Sequence, residues 1–120
     1  KDYAHWKEGL ENIFEAVYKN KPFILNVYHE ISKDEIEKVL FKLVHGLIES
    51  IVEERSIETN LNEQQKNFIA YFYKYGFVGI MLDWIEKGMD ENYTEIVDDL
   101  EKTVHGTIDL SIKNFTDNKK

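Results

Sequence analysis

Two histidine–acid pairs come closest to the spacing that a metal site requires. His45 and Glu49 are four positions apart, as are His105 and Asp109, and side chains at that spacing share one face of a helix. Both pairs fall on stripes that are otherwise charged, and no third ligand accompanies either of them. We therefore predict no metal site and no bound cofactor.

Residues for nucleophilic or acid–base catalysis lack the context that such catalysis needs. The chain has no Cys. The neighbours Asp98 and Asp99 are typical of surface charge and not of the buried carboxylate pair that acid–base chemistry uses. The serines show neither a nucleophile elbow nor a triad context: Ser32, Ser50, Ser56 and Ser111. The sequence predicts no catalytic residues, and we expect that the protein is not an enzyme.

Charge and length further narrow the functional classes to which the protein can belong. The 120 residues include 15 Lys and Arg against 23 Asp and Glu, for a formal net charge of −8. Nucleic-acid binding depends on Lys and Arg that neutralise phosphates, but Arg55 is the only Arg and no basic run is longer than Lys119–Lys120. These residues are therefore not expected to bind DNA by themselves. The length suits one domain over residues 1–120.

Hydrophobic periodicity predicts an all-α domain of about five helices in an antiparallel bundle. Pro22 suits the first turn of a short helix, and Gly88 suits the left-handed position after a helix end. Three further helix starts are indicated by a capping residue and its partner: Ser32 with Glu35, Asn62 with Gln65, and Asn92 with Glu95. The predicted helices cover about residues 3–19, 22–31, 33–55, 63–87 and 93–115, and residues 117–120 are predicted to fray.

The fourth predicted helix is apolar on every side. Within residues 68–85 only Lys74 and Asp83 are charged, and a helix that is apolar all round is buried all round. Because so short a chain has few helices to cover it, the remainder needs lipid, tighter packing of the chain itself, or a second copy. The charges interrupt the span, which argues against lipid. We favour a second copy, because Gly76 and Gly79 leave one patch without side chains and so permit close helix contact.

The last predicted helix carries an apolar stripe that we assign to the same contact. Two helices joined by a short turn form an antiparallel hairpin, and two hairpins can pair across a two-fold axis into a four-helix interface. The sequence thus predicts a homodimer. The predicted interface residues are Phe72, Gly76, Gly79, Asp83, Val97, Leu100, Val104, Ile108, Ser111 and Phe115.

A family pattern covers most of the chain, from about residue 6 to 115. Residues 75–89 join an aromatic and Gly-rich segment to a Trp-Ile-x-x-Gly ending, and they resemble the penultimate helix of TetR-type transcriptional regulators. Residues 90–97 resemble that family's link into its final helix, although Tyr93 stands at or next to a position where the family usually has Pro. Residues 11–21 are similar to the family's first effector-domain helix. The likeness looks closest to the subclass of dihydroxyacetone-kinase regulators.

The resemblance implies a C-terminal effector-binding and dimerisation domain. The family's helix-turn-helix domain would precede Lys1, so we expect this chain to lack it and to reach DNA only through that absent domain. In such regulators the dimer fixes the spacing of two DNA-reading heads, and an effector shifts the population between spacings. The effector, a small molecule or a protein, is expected in a cavity between the first four helices. The candidate lining residues are Phe14, Tyr18, Tyr28, Phe41, Tyr75 and Trp84.

A stand-alone helical adaptor that binds a protein partner has the same composition and needs no cavity. A buried pocket and an upstream helix-turn-helix favour the regulator, whereas an exposed groove favours the adaptor. The six aromatic candidates also fit an ordinary helical core. For both functions we expect a cytoplasmic protein without membrane association, because the first residues lack the apolar region of a signal peptide.

Overall fold

Helices are the only regular elements in the described part of the chain. A computed structural model describes the backbone of residues 2–116 and the side chains of residues 6–116, so the predicted frayed tail at 117–120 lies outside the described residues. The all-α prediction is confirmed. In chain order the elements are α1 (Asp2–Lys19), α2 (Lys21–Asn26), a π-helical turn (Val27–Ile31), α3 (Lys33–Arg55), α4 (Glu63–Glu86), α5 (Tyr93–Val104) and α6 (Thr107–Thr116).

Local capping sets the ends of the two longest helices where the sequence predicts them. The Ser32 hydroxyl accepts the N–H of Glu35 at 3.2 Å at the start of α3. Asn62 and Gln65 form a reciprocal capping box at the start of α4, with hydrogen bonds of 2.8 and 3.0 Å. Gly88 follows α4 with a left-handed φ of +82°, a conformation that Gly adopts without steric strain. These contacts join near neighbours in sequence, which is why the sequence alone predicts them.

The last predicted helix is divided at Gly106, whose φ is +77°. The helix α5 ends before this residue and α6 begins after it. The Thr107 hydroxyl donates to the Val104 carbonyl at 2.8 Å, so it accepts from the Tyr73 hydroxyl of α4, which lies at 2.5 Å. The turn directs α6 back onto α4, where Ile108 is buried.

The core lies within a thin bundle. The Cα atoms extend over 53 × 25 × 17 Å, and a helix with its side chains is about 10–12 Å across. The shortest dimension therefore holds two layers of helices, in which α4 packs against α3 and α6 while α1 packs against α3 and α5. Among the largest fully buried side chains are Leu10, Phe14, Val44, Ile48, Met81, Ile85 and Val97. In two layers each helix is covered mainly on one side.

Replacement of Tyr73 by Phe removes the hydroxyl that joins α4 to the turn between α5 and α6. We expect Tyr73→Phe to lose about 0.5–1.5 kcal/mol of the free energy of unfolding, the usual net value of one hydrogen bond. Tyr71→Phe is the control, because Tyr71 is exposed on the same helix and its hydroxyl has no hydrogen-bond partner among the described residues. Urea denaturation measures both variants, and equal losses would contradict a stabilising contact with Thr107.

Candidate functional site

One side of α4 is left uncovered by its own chain. The opposite side is buried and includes Tyr73, Phe77, Met81 and Trp84. We call the apolar part of the exposed side, together with Asp83, the α4 face; its residues are Phe68, Tyr71, Phe72, Tyr75, Gly76, Gly79, Ile80 and Asp83. They follow one another along the helix as an apolar stripe with one acidic residue near its end. Monomeric proteins seldom expose a large contiguous apolar surface, so this stripe is the first candidate for a functional surface.

Four residues of this face were missing from the predicted interface. Phe68, Tyr71 and Ile80 were not included, and Tyr75 was assigned to the effector cavity, although each stands four positions from another residue of the same face. Residues at that spacing share one side of a helix. The signal was therefore present in the sequence.

Two glycines open the middle of the α4 face. A Cβ atom built on Gly76 or Gly79 meets no atom within 4 Å, so packing inside the chain requires neither of them. Gly9 differs, because a Cβ atom built there would lie 2.7 Å from Cδ1 of Leu47. The close approach of α1 to α3 therefore explains why a glycine stands at this position. A Gly in a helix interior costs roughly 0.5–1 kcal/mol relative to Ala. The pair on α4 therefore weakens the helix without improving any contact within the monomer.

Grooves that are open to solvent border the α4 face. One of about 590 Å³ lies between α4 and α5, with Phe72 and Gly76 on one wall and Thr103 on the other. A second, of about 500 Å³, has an apolar floor that includes Trp84. Its rim carries the carboxylates of Asp83, Asp90, Glu91 and Asp99. Both grooves adjoin the stripe, so a ligand in either would lie next to the α4 face.

The predicted contribution of the last helix to the interface needs correction. Val97 and Ile108 are buried in the core of the chain itself, and Leu100 is nearly so. These side chains have little surface left for a partner, because α5 and α6 use their apolar stripe to pack against α1 and α4. The predicted residues that keep more accessible surface are Val104, Ser111 and Phe115.

The aromatic residues that were predicted to line one cavity do not come together in one. Phe14, Tyr18 and Trp84 pack with Tyr93, which the prediction did not include. The ring centroids of Phe14 and Trp84 are 5.1 Å apart, and those of Trp84 and Tyr93 are 6.1 Å apart. The Trp84 indole N–H donates to the Glu91 carbonyl at 2.8 Å. Because Phe14 and Trp84 are buried, these rings fill core space, as buried aromatic residues commonly do, and Trp84 also forms part of the floor of the 500 Å³ groove.

The other three candidates lie elsewhere in the domain. Phe41 of α3 contacts Tyr75 of α4 at the edge of the α4 face, with ring centroids 5.0 Å apart. Tyr28 is buried within the π-helical turn, where burial, reinforced by the nearby Glu86 carboxylate, raises the pKa of its phenol. A groove of about 190 Å³ lies among α1, α2 and α3, but none of the six candidates lines it. Aromatic residue type alone did not separate core rings from accessible ones.

Comparison with known families decides the class of the protein. A family model of the TetR type, described as "Transcriptional regulator C-terminal region", matches residues 4–106. The chain belongs to this TetR-type family. No curated protein and no solved structure matches the chain. The match covers α1 to α5 of the TetR-type domain and ends at Gly106, so α6 lies beyond it.

Two histidines of this TetR-type domain, His45 and His105, each lie beside an acidic residue one turn away on the same helix. His45 Nε2 lies 4.0 Å from a Glu49 carboxylate oxygen, and His105 Nδ1 lies 2.5 Å from one of Glu101. Within the described residues, no group of three or more His, Cys, Asp or Glu is placed to hold a metal ion. None of the helices in residues 2–116 combines the length and the hydropathy of a membrane span.

Truncation of Phe14 distinguishes a core residue from a cavity wall in the TetR-type domain. Phe14 is 0% exposed, whereas Tyr18, one turn later on α1, is 44% exposed. We expect Phe14→Ala to lower the free energy of unfolding by about 3–5 kcal/mol and Tyr18→Ala to lower it far less. Urea denaturation measures both. A loss below about 1 kcal/mol for Phe14→Ala would contradict full burial of this ring.

Proposed function

We propose that the chain is the dimerisation and effector-sensing domain of a TetR-type transcriptional regulator, in which two copies meet through their α4 faces. The uncovered apolar stripe on α4 is the observation that carries this proposal, and family membership supports it. A second copy offers the same stripe, so one two-fold contact would cover both. The homodimer would bury the apolar surface of α4 that a bundle only 17 Å thick leaves exposed.

The charges on α4 favour an antiparallel crossing of the two helices. Asp83 and Glu86 lie towards the C-terminal end of α4, whereas aromatic residues occupy the N-terminal half of the α4 face. A parallel pair would place the two charged C-terminal ends, in each of which Asp83 pairs with Lys87 at 3.0 Å, against each other and take these charges out of water, which is costly. An antiparallel pair separates them and opposes each acidic end to an aromatic end. Gly76 and Gly79, near the middle, would form the point of closest approach.

The grooves beside the α4 face are the proposed effector sites. Volumes of about 590 and 500 Å³ suit a small organic molecule. A ligand there would alter the position of α5 against α4, and thus the spacing of the DNA-reading heads on the two subunits. Those heads belong to a helix-turn-helix domain outside this chain. The relation to dihydroxyacetone-kinase regulators and the cytoplasmic location belong to the same proposal and rest on sequence resemblance.

The open form of these grooves favours a second candidate function, in which the same face binds a protein. An enclosed cavity was expected of a small-molecule sensor, but the grooves on either side of Ile80 are open to solvent. A helical adaptor of this kind would be monomeric until its partner is added. The oligomeric state of the purified domain therefore separates the two functions.

Analytical ultracentrifugation of a Phe72→Glu variant tests the dimer. We expect a dimeric wild type at micromolar concentration and a monomeric variant, because a carboxylate buried without a partner is costly. Phe23→Glu is the matched control: Phe23 is 66% exposed and Phe72 is 64% exposed, and the charge change is identical. This control should remain dimeric. A wild type that sediments as a monomer would contradict the proposal and leave the adaptor function.

Replacement of Gly79 by Ala tests the closest approach. In the monomer the new methyl meets open space, so we expect the monomer to gain about 0.5–1 kcal/mol of stability. In the dimer the methyl would overpack the crossing point and weaken association, by roughly 1–3 kcal/mol. Gly46→Ala on α3 is the control, since it is equally open and should stabilise without changing the dimer Kd. Equal dimer Kd values for the two variants would place the contact elsewhere.

A further inference from the structure

Lys74 lies at the edge of the α4 face, where the groups that surround its ammonium are aromatic rings. Its Nζ is 5.2 Å from the ring centroid of Tyr75, 5.4 Å from that of Tyr71 and 5.9 Å from that of Phe41. In the described part of the chain it forms no ion pair, although acidic residues outnumber basic ones by 23 to 15. The ring faces therefore provide the local stabilisation of this charge.

The three rings around Lys74 also contact one another. Tyr71 and Tyr75 meet edge to face with centroids 4.9 Å apart, and Phe41 lies 5.0 Å from Tyr75. Phe41 is half-buried on α3, whereas both tyrosines are exposed on the α4 face. The lysine thus links the two exposed rings to each other and to the neighbouring helix.

We infer that Lys74 is a positioning residue of the dimer contact, whose ammonium group holds the Tyr71 and Tyr75 rings in the orientation in which they meet the second copy. The inference rests on the proposed function. An exposed side chain that rotates freely loses that freedom on association, whereas a ring that is already held loses less. The attraction between a cation and a ring also strengthens when water is excluded. Lys74 therefore favours association in two ways: the rings lose less rotational freedom, and the attraction between the ammonium group and the rings becomes stronger when a second copy covers them.

Two variants of Lys74 test this role. Lys74→Met keeps an apolar stem but removes the charge, and Lys74→Arg keeps a cation that stacks on aromatic rings. We expect Lys74→Met to raise the dimer Kd about tenfold, equivalent to ~1.4 kcal/mol, and Lys74→Arg to restore a Kd close to that of the wild type. The near-ultraviolet circular dichroism of the tyrosines should weaken in Lys74→Met alone, because freed rings average over orientations.

Lys38→Met is the matched control for the change in net charge. Lys38 is exposed on α3, and its loss increases the repulsion between acidic copies by the same charge. If Lys74→Met leaves the Kd unchanged, or if Lys38→Met raises it equally, the inference is overturned. If Phe72→Glu breaks the dimer while Lys74→Met does not, the role of Lys74 fails and the dimer contact stands. A monomeric wild type would refute both.

Discussion

The architecture depends on a mismatch between the apolar surface of α4 and the helices that are available to cover it. α3 and α6 pack against α4, and the side chains on the covered side of α4 are buried. The other side carries large aromatic residues such as Phe68 and Phe72, for which the bundle provides no further layer. The free energy that burial of such rings can supply is of the order of 1.5–3 kcal/mol each. It remains available to a partner because the monomer does not use it.

Polar contacts at the rim fix how α5 and α6 surround this core. Lys7 of α1 pairs with Asp98 of α5 at 2.7 Å, and the pairing raises the pKa of the lysine and lowers that of the aspartate. Arg55, at the end of α3, pairs with Asp109 of α6 at 2.5 Å. The Lys7–Asp98 pair is exposed and contributes little stability, whereas the Arg55 side chain is buried; both pairs join helices that are distant in sequence. Lys7–Asp98 joins α1 to α5, and Arg55–Asp109 joins α3 to α6.

The sequence predicted those features that depend on near neighbours. Helix starts at Ser32 and Asn62 and the helix end at Gly88 follow from side chains within a few positions. The break at Gly106 was missed, although it has the same left-handed glycine conformation as the end at Gly88; the contact between Thr107 and Tyr73 that follows the break joins residues far apart in the chain. Periodicity identifies an apolar stripe but does not say what covers it. For this reason Val97, Leu100 and Ile108 were assigned to a partner, although they are buried within their own chain.

The six aromatic candidates have different surroundings, since residue type does not report whether the space beside a ring is filled: Phe14 lies in the core, whereas Tyr75 and Trp84 line the grooves beside the α4 face. Phe14 is packed against Trp84, and only an accessible wall such as the α4–α5 groove is free to receive a ligand.

In the proposed regulator, an effector site in a groove beside α5 has a mechanical consequence. Leu100 is buried beneath both grooves and belongs to the helix that borders the α4 face. A ligand in either groove would press on this side chain, and because a packed core deforms little, α5 would move as a unit against α4. The effector and the second copy would then both contact the pair α4 and α5. An effector that binds one arrangement of these two helices more tightly than another would shift the population towards that arrangement.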